Sequence, residues 1–72
     1  MKLRIRDLRE DSDLRQQEIA NYLLCDQSLY SKYERGERDL PLEYASKLAD
    51  FYGVSVDYLL RRTNVKTPYP TP

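Results

Sequence analysis

Apolar positions along this chain recur at helical spacing, and no stretch alternates as a strand would. Leu3, Ile5 and Leu8, set among charges, predict a first helix over about residues 3–10, closed by an Asp11-Ser12-Asp13 turn. Ile19, Ala20 and Leu23 predict a second helix over about 16–23. Tyr30 and Tyr33 mark the inner side of a third, over about 27–35. Asp26 is expected to cap that helix, its carboxylate accepting from free backbone N–H groups, and Gly36 to end it in a left-handed conformation. Pro41 suits the first position of a fourth helix, where its missing N–H costs nothing. Leu42, Ala45, Leu48, Ala49 and Tyr52 supply the apolar stripe of that helix, and Gly53 stops it. Ser55 should cap a short fifth helix, about 56–61, which contributes Leu59 and Leu60. Beyond Thr63, three prolines in the last five residues and the loss of periodicity predict an extended, mobile tail. The expectation is an all-α, compact five-helix domain over 1–62 with a Pro-rich tail over 63–72.

Length and composition narrow the classes. Seventy-two residues make one domain, near the lower size limit for folding without staples. Twelve basic side chains balance twelve acidic ones, so total charge favours no partner and its distribution matters more. Residues 39–57 carry Asp39, Glu43, Asp50 and Asp57 against Lys47 alone, whereas Lys32, Arg35 and Arg38 recur every three residues around the third helix. A single cysteine excludes an intramolecular disulfide and suits a reducing cytoplasm. Lys2, Arg4 and Arg6 interrupt any signal-peptide core, and no apolar run approaches the ~20 residues of a membrane helix. A cytoplasmic protein without membrane contact is expected.

Catalytic chemistry finds little to work with. The chain has no histidine, Cys25 has no base beside it and reads as a small buried apolar residue, and neither glycine belongs to a phosphate-cradling motif. Asp11 and Asp13 are explained by a solvated turn. No metal site, cofactor or enzyme activity is expected.

Helices two and three are more specific. Only Leu24 and Cys25 separate them from the Asp26 cap, and a link that short forces a sharp crossing, the helix-turn-helix arrangement. Packing Ile19, Ala20 and Leu23 against Tyr30 and Tyr33 leaves Gln27, Ser28 and Lys32 on the opposite face, free to read a partner.

"QQEIANYL" (16–23), "SKYERGER" (31–38) and "KLADFYGVSVDYLL" (47–60) together resemble the Cro and phage-repressor type of helix-turn-helix DNA-binding domain, over roughly residues 3–62. The resemblance implies that the third helix enters the major groove. Its base-contacting positions match Gln27, Ser28 and Lys32. Its phosphate-contacting positions match Gln16, Arg35 and Arg38, and its internal ion pair matches Arg9 and Glu34. The chemistry agrees: Gln can bond adenine N6 and N7, Lys favours guanine O6 and N7, and Ser serves several base edges. Arg35 and Arg38 can equally be read as a solvated cluster balancing Glu34 and Glu37, Arg61 and Arg62 as a solvated helix end, and Tyr44, Tyr52 and Tyr58 as core or subunit contacts. Two positions depart from the family pattern. Arg15 stands where a Thr cap is usual, and Leu24 where the turn usually has glycine. A left-handed Leu24 costs ~1–2 kcal/mol, so either the strain is accepted or the turn takes another shape; partial burial of Leu24 is the expectation.

These readings lead to a sequence-specific binder of duplex DNA, a transcriptional regulator and repressor acting as a homodimer on an approximate inverted-repeat operator. The alternative is a protein-interaction module on the same fold, with tyrosines as anchors.

Overall fold

The computed structural model describes residues 3–66. Five helices follow one another: α1 (Ile5–Asp11), α2 (Gln16–Leu23), α3 (Gln27–Arg35), α4 (Leu42–Tyr52) and α5 (Val56–Leu59), with no strand among the described residues. One face of each enters a shared core of Ile5, Ile19, Ala20, Leu23, Tyr30, Tyr33, Leu48, Ala49, Val54 and Leu59. α2 packs closely on α3 and α4 on α5. Ala20, fully buried, presents only a methyl group toward its neighbours. Tyr33 reaches across to α4, where its ring meets Tyr44 edge-on with centroids 6.0 Å apart. No helix among the described residues is long and apolar enough to cross a membrane.

Several element ends differ from the sequence expectation, each for a local reason. α1 starts at Ile5 because the Arg4 N–H bonds Leu59 O (3.0 Å), across to α5. Pro41 precedes α4 instead of opening it: its ψ of 146° is extended, while its carbonyl accepts from the Ala45 N–H. Leu42, the first helical residue, is consequently exposed and drops out of the expected stripe. Asp26 holds the expected N-cap position of α3, but its side chain makes no capping bond; the backbone carbonyl accepts from Tyr30 N–H (2.9 Å). Ser55 does cap α5, accepting from Tyr58 N–H at 3.0 Å.

All five helices end in the same way. A residue with positive φ follows each: Asp13 (56°), Leu24 (61°), Gly36 (78°), Gly53 (68°) and Arg61 (60°). Its N–H and that of the next residue turn back to the last helical carbonyls. After α2, for example, Leu24 N–H bonds Asn21 O (3.1 Å) and Cys25 N–H bonds Ala20 O (2.9 Å). After α5, Arg61 bonds Tyr58 O (3.1 Å) and Arg62 bonds Asp57 O (2.9 Å), which stops the helix at Leu59 instead of near Arg61. This Schellman arrangement satisfies carbonyls a helix end would leave orphaned. At Leu24 it overrides side-chain preference. The residue accepts the left-handed conformation and is 84% exposed, which overturns the expectation of partial burial.

Residues 63–66 form no regular element but are tied to the domain. Lys66 O accepts from Ser55 N–H (2.8 Å), and the Arg4 guanidinium donates to Thr63 O (3.4 Å) and Asn64 Oδ1 (2.8 Å) while lying 4.3 Å from the Tyr58 ring centroid. The rest of the expected tail, 67–72, lies outside the described residues.

A buried ion pair joins α1 to the end of α3. Glu34 is only 3% exposed, and its carboxylate accepts from Arg9 Nε (2.7 Å), Arg9 Nη2 (3.1 Å) and Gln16 Nε2 (3.0 Å). Arg9 Nη1 completes its own fork on Leu14 O (2.8 Å). Burial by itself would push the Glu34 carboxyl up, but the hydrogen bonds from Arg9 and Gln16 outweigh it and hold the group below its ordinary value. The buried Tyr30 and Tyr52 hydroxyls lie in the field of this carboxylate. Burial first, then that negative charge, pushes both phenols up, Tyr52 to about 12.

Three outcomes follow. Glu34→Gln leaves the Arg9 guanidinium without its charge partner in a largely buried setting, and urea melts should show a loss of ~3–5 kcal/mol. The depressed carboxyl also predicts acid sensitivity: its stabilisation is complete above the unfolded Glu value of about 4.3 and disappears as pH falls through the lower folded value. A pH series of melts should show that decline in the parent and much less of it in Glu34→Gln. Leu24→Gly should leave stability equal or raise it by up to ~1 kcal/mol, since relief of left-handed strain competes with the entropy of an unfolded glycine. A clear loss in the urea midpoint would contradict an exposed, strained Leu24.

Candidate nucleic-acid interface

α3 has two sides of different chemistry. Tyr30, Tyr33 and Glu34 are buried and fix the helix against α1, α2 and α4. Gln27, Ser28 and Lys32, the three positions expected to meet bases, are all exposed. At ~100° per residue they span an arc of roughly 140° on the outward side. The sequence reading overlooked Ser31, which falls inside the same arc; its hydroxyl accepts from Arg35 Nη1 at 2.6 Å. The repeat of polar residues at 27, 28, 31, 32 and 35 was the available signal for it.

Of the positions expected to meet phosphates, Arg35 falls inside the same arc, Gln16 starts α2 and Arg38 follows the end of α3. Gln16 opens α2, whose N-terminus has no side-chain cap because Arg15 occupies the cap position. An uncapped end keeps backbone N–H groups and the positive end of the helix dipole available to an anion. Gln16 also lines a cleft of about 480 Å³ with Arg6, Arg9, Ser31, Glu34 and Arg35, between the start of α2 and the α1 and α3 helices. Arg35 is exposed and paired with Glu37, whose carboxylate raises the Arg35 value through a hydrogen bond. That pair matches the charge-balancing alternative for Arg35 in isolation. An exposed pair of this kind holds weakly and can be exchanged for a phosphate. Arg38 is exposed and makes no ion pair among the described residues.

The expected ion pair and the expected reading residues are also connected. Gln16 Nε2 donates to Glu34, and Gln16 Oε1 accepts from Gln27 Nε2 at 3.4 Å. Arg9, Glu34, Gln16 and Gln27 therefore form one chain running from the interior to the exposed face. Elsewhere, Cys25 sits half-buried after the α2 turn, where burial pushes its thiol up. Among the described residues no group of His, Cys, Asp and Glu could hold a metal ion.

A family model described as helix-turn-helix matches residues 5–59, the segment from the start of α1 to the end of α5. The cryptic phage CTXphi transcriptional repressor RstR of Vibrio cholerae is 44% identical over 57 residues, covering 79% of this chain and 51% of that protein. The SPbeta prophage-derived uncharacterized HTH-type transcriptional regulator YonR of Bacillus subtilis is 33% identical over 63 residues, 88% of this chain and 58% of that protein. The HTH-type transcriptional regulator ImmR, also of Bacillus subtilis, is 36% identical over 62 residues, 86% of this chain and 49% of that protein. The chain thus spans about half the length of the curated relatives it matches. No solved structure matches it significantly. With the family model covering all five helices and transcriptional regulators sharing about a third or more of the aligned residues, two of them named as phage or prophage proteins, the chain belongs to the helix-turn-helix family, of the Cro and phage-repressor type.

Proposed function

We propose that this chain binds duplex DNA at specific sequences as a transcriptional regulator, a repressor, with α3 lying in the major groove. The observation that carries this reading is the division of α3. One side is locked into the core by Tyr30, Tyr33 and Glu34, and the other presents Gln27, Ser28 and Lys32 together to solvent. The roles of the relatives, a transcriptional repressor and two transcriptional regulators, support it.

Binding begins with charge. Arg35, Arg38 and the uncapped start of α2 at Gln16 hold phosphates on either side of α3 and set its register, without selecting sequence. Gln27 then accepts from adenine N6 and donates to N7, Lys32 donates to guanine O6 or N7, and Ser28 serves the neighbouring edge. No cofactor or metal takes part. Two copies acting as a homodimer would place their recognition helices about 34 Å apart, so the operator is an approximate inverted repeat. The site of action is the cytoplasmic DNA.

One observation favours a second reading, a protein-binding module. Tyr22 and Phe51 meet at a tilt with ring centroids 4.8 Å apart and remain 40% and 43% exposed, the kind of aromatic surface that anchors protein contacts. Salt separates the two. Binding to DNA should weaken steeply between low and moderate salt, whereas an aromatic-anchored contact should change little.

The division of labour is itself testable. Gln27→Ala should weaken operator binding by ~1–3 kcal/mol and barely change affinity for random duplex. Arg38→Ala should weaken both together and make the salt slope shallower by about 0.9 for each phosphate that is no longer neutralised. Titrations at protein concentrations well above dimer dissociation would show this contrast; equal losses on operator and random DNA for both variants would remove α3 as the reading element.

A further inference from the structure

We propose that Glu37 is a resident competitor for the backbone phosphate that Arg35 takes: its carboxylate holds the Arg35 guanidinium in the free protein and must be displaced before DNA is engaged there. The inference rests on the reading of Arg35 as a phosphate-contacting residue.

The backbone puts the acid in place. Gly36 adopts a left-handed φ of 78°, and the chain turns back over the last turn of α3. Gly36 N–H bonds Tyr33 O (3.2 Å) and Glu37 N–H bonds Lys32 O (2.9 Å), so the helix end itself fixes where the Glu37 side chain begins. From there its carboxylate accepts from Arg35 Nε. The guanidinium is held on a second side as well, since Arg35 Nη1 donates to Ser31 Oγ, one turn earlier, at 2.6 Å. The Glu37 carboxyl lies below its ordinary value, first through the hydrogen bond from Arg35, then through the charges of Arg35 and Lys32. One acid thus faces two of the cations expected at the DNA.

Carboxylate and phosphate make the same demand on a guanidinium, anionic oxygens accepting from its N–H fork. The Arg35 Nε–H points in one direction, so a phosphate approaching along it requires the carboxylate to leave. Once displaced, that carboxylate stays tethered through Gly36 beside a polyanion, where like charges repel. Arg38 differs, because it makes no ion pair among the described residues. Arg38 therefore meets DNA with its full charge and Arg35 with a charge already neutralised. The exchange costs the same whatever the bases are. Glu37 lowers affinity for every duplex, leaves sequence preference untouched, and keeps charge alone from saturating the protein on bulk DNA.

Glu37→Gln removes the charge while keeping the side chain's length and the backbone turn. Affinities of parent and variant are measured from ~50 to ~200 mM salt, on random duplex and on a duplex selected from a random library for tight binding. The variant should bind both more tightly by the same factor, about tenfold at the lowest salt and about threefold at the highest. That narrowing follows from one more uncompensated charge, which steepens the salt slope by about 0.9. Unchanged affinity overturns the proposal. So does a gain on the selected duplex alone, which would set Glu37 against the base-reading Lys32 instead of a phosphate contact. Repeating the substitution in Arg35→Met separates local competition from a general charge effect: the gain should shrink to about twofold or less, and an undiminished gain overturns the competitor role. In the free parent, the Arg35 Nε–H resonance should show the slowed exchange of a hydrogen-bonded group and lose it in Glu37→Gln; solvent-like exchange already in the parent overturns the contact. If that signal is present while the parent binds neither duplex at any salt, the DNA reading is what fails, and the role of Glu37 falls with it.

Discussion

Taking a carboxylate out of water commits the structure around it. At Glu34 the desolvation must be offset by well-aligned donors, and Arg9 from α1 and Gln16 from α2 supply them on an α3 residue. Three helices are therefore tied at one point, at the end of α3 opposite its Asp26 start. Apolar packing around Tyr30 and Tyr33 is non-directional and could tolerate a rotated α3. The fork of Arg9 on two carboxylate oxygens is far less tolerant, because its geometry fixes both distance and plane. The outward arc of α3 inherits its orientation from that bond.

Electrostatics explains how a chain with no net charge can suit a polyanion. Lys32, Arg35 and Arg38 lie within and just beyond α3, while Glu43 and Asp50 lie on α4. At physiological salt, charges more than about 8 Å apart are largely screened from one another, so a phosphate responds to its neighbours and not to the total. The acidic side then limits unspecific adhesion of the rest of the surface to the same polymer.

What could be read from residues alone follows from which interactions are periodic. α2 and α3 begin and end where the sequence placed them, because apolar spacing and Gly36 are local signals. The outward placement of Gln27, Ser28 and Lys32 followed from the inward pair Tyr30 and Tyr33. Arg9 and Glu34 lie 25 positions apart, and only the family resemblance brought them together beforehand. Helix ends were legible where glycine marks them and hidden where it does not. Asp13, Leu24 and Arg61 adopt the same left-handed conformation as Gly36 and Gly53, because the returning backbone bonds outweigh a modest side-chain preference. The side-chain relay through Gln16 was equally invisible, since amide direction depends on a partner distant in sequence.

The bonds around Arg4 have a topological consequence. Its N–H meets Leu59 O, its guanidinium meets Thr63 O and Asn64 Oδ1, and Arg61 reaches back to Asp7 at 3.3 Å. The first and last described segments are thus stitched side by side, and the domain is close to a closed ring. A circularly permuted version, with residues 3 and 66 joined by a short flexible linker and a new opening in the exposed turn at 37–39, would keep the whole core. It would also keep all of α3, so the outward face of that helix does not depend on where the polypeptide starts.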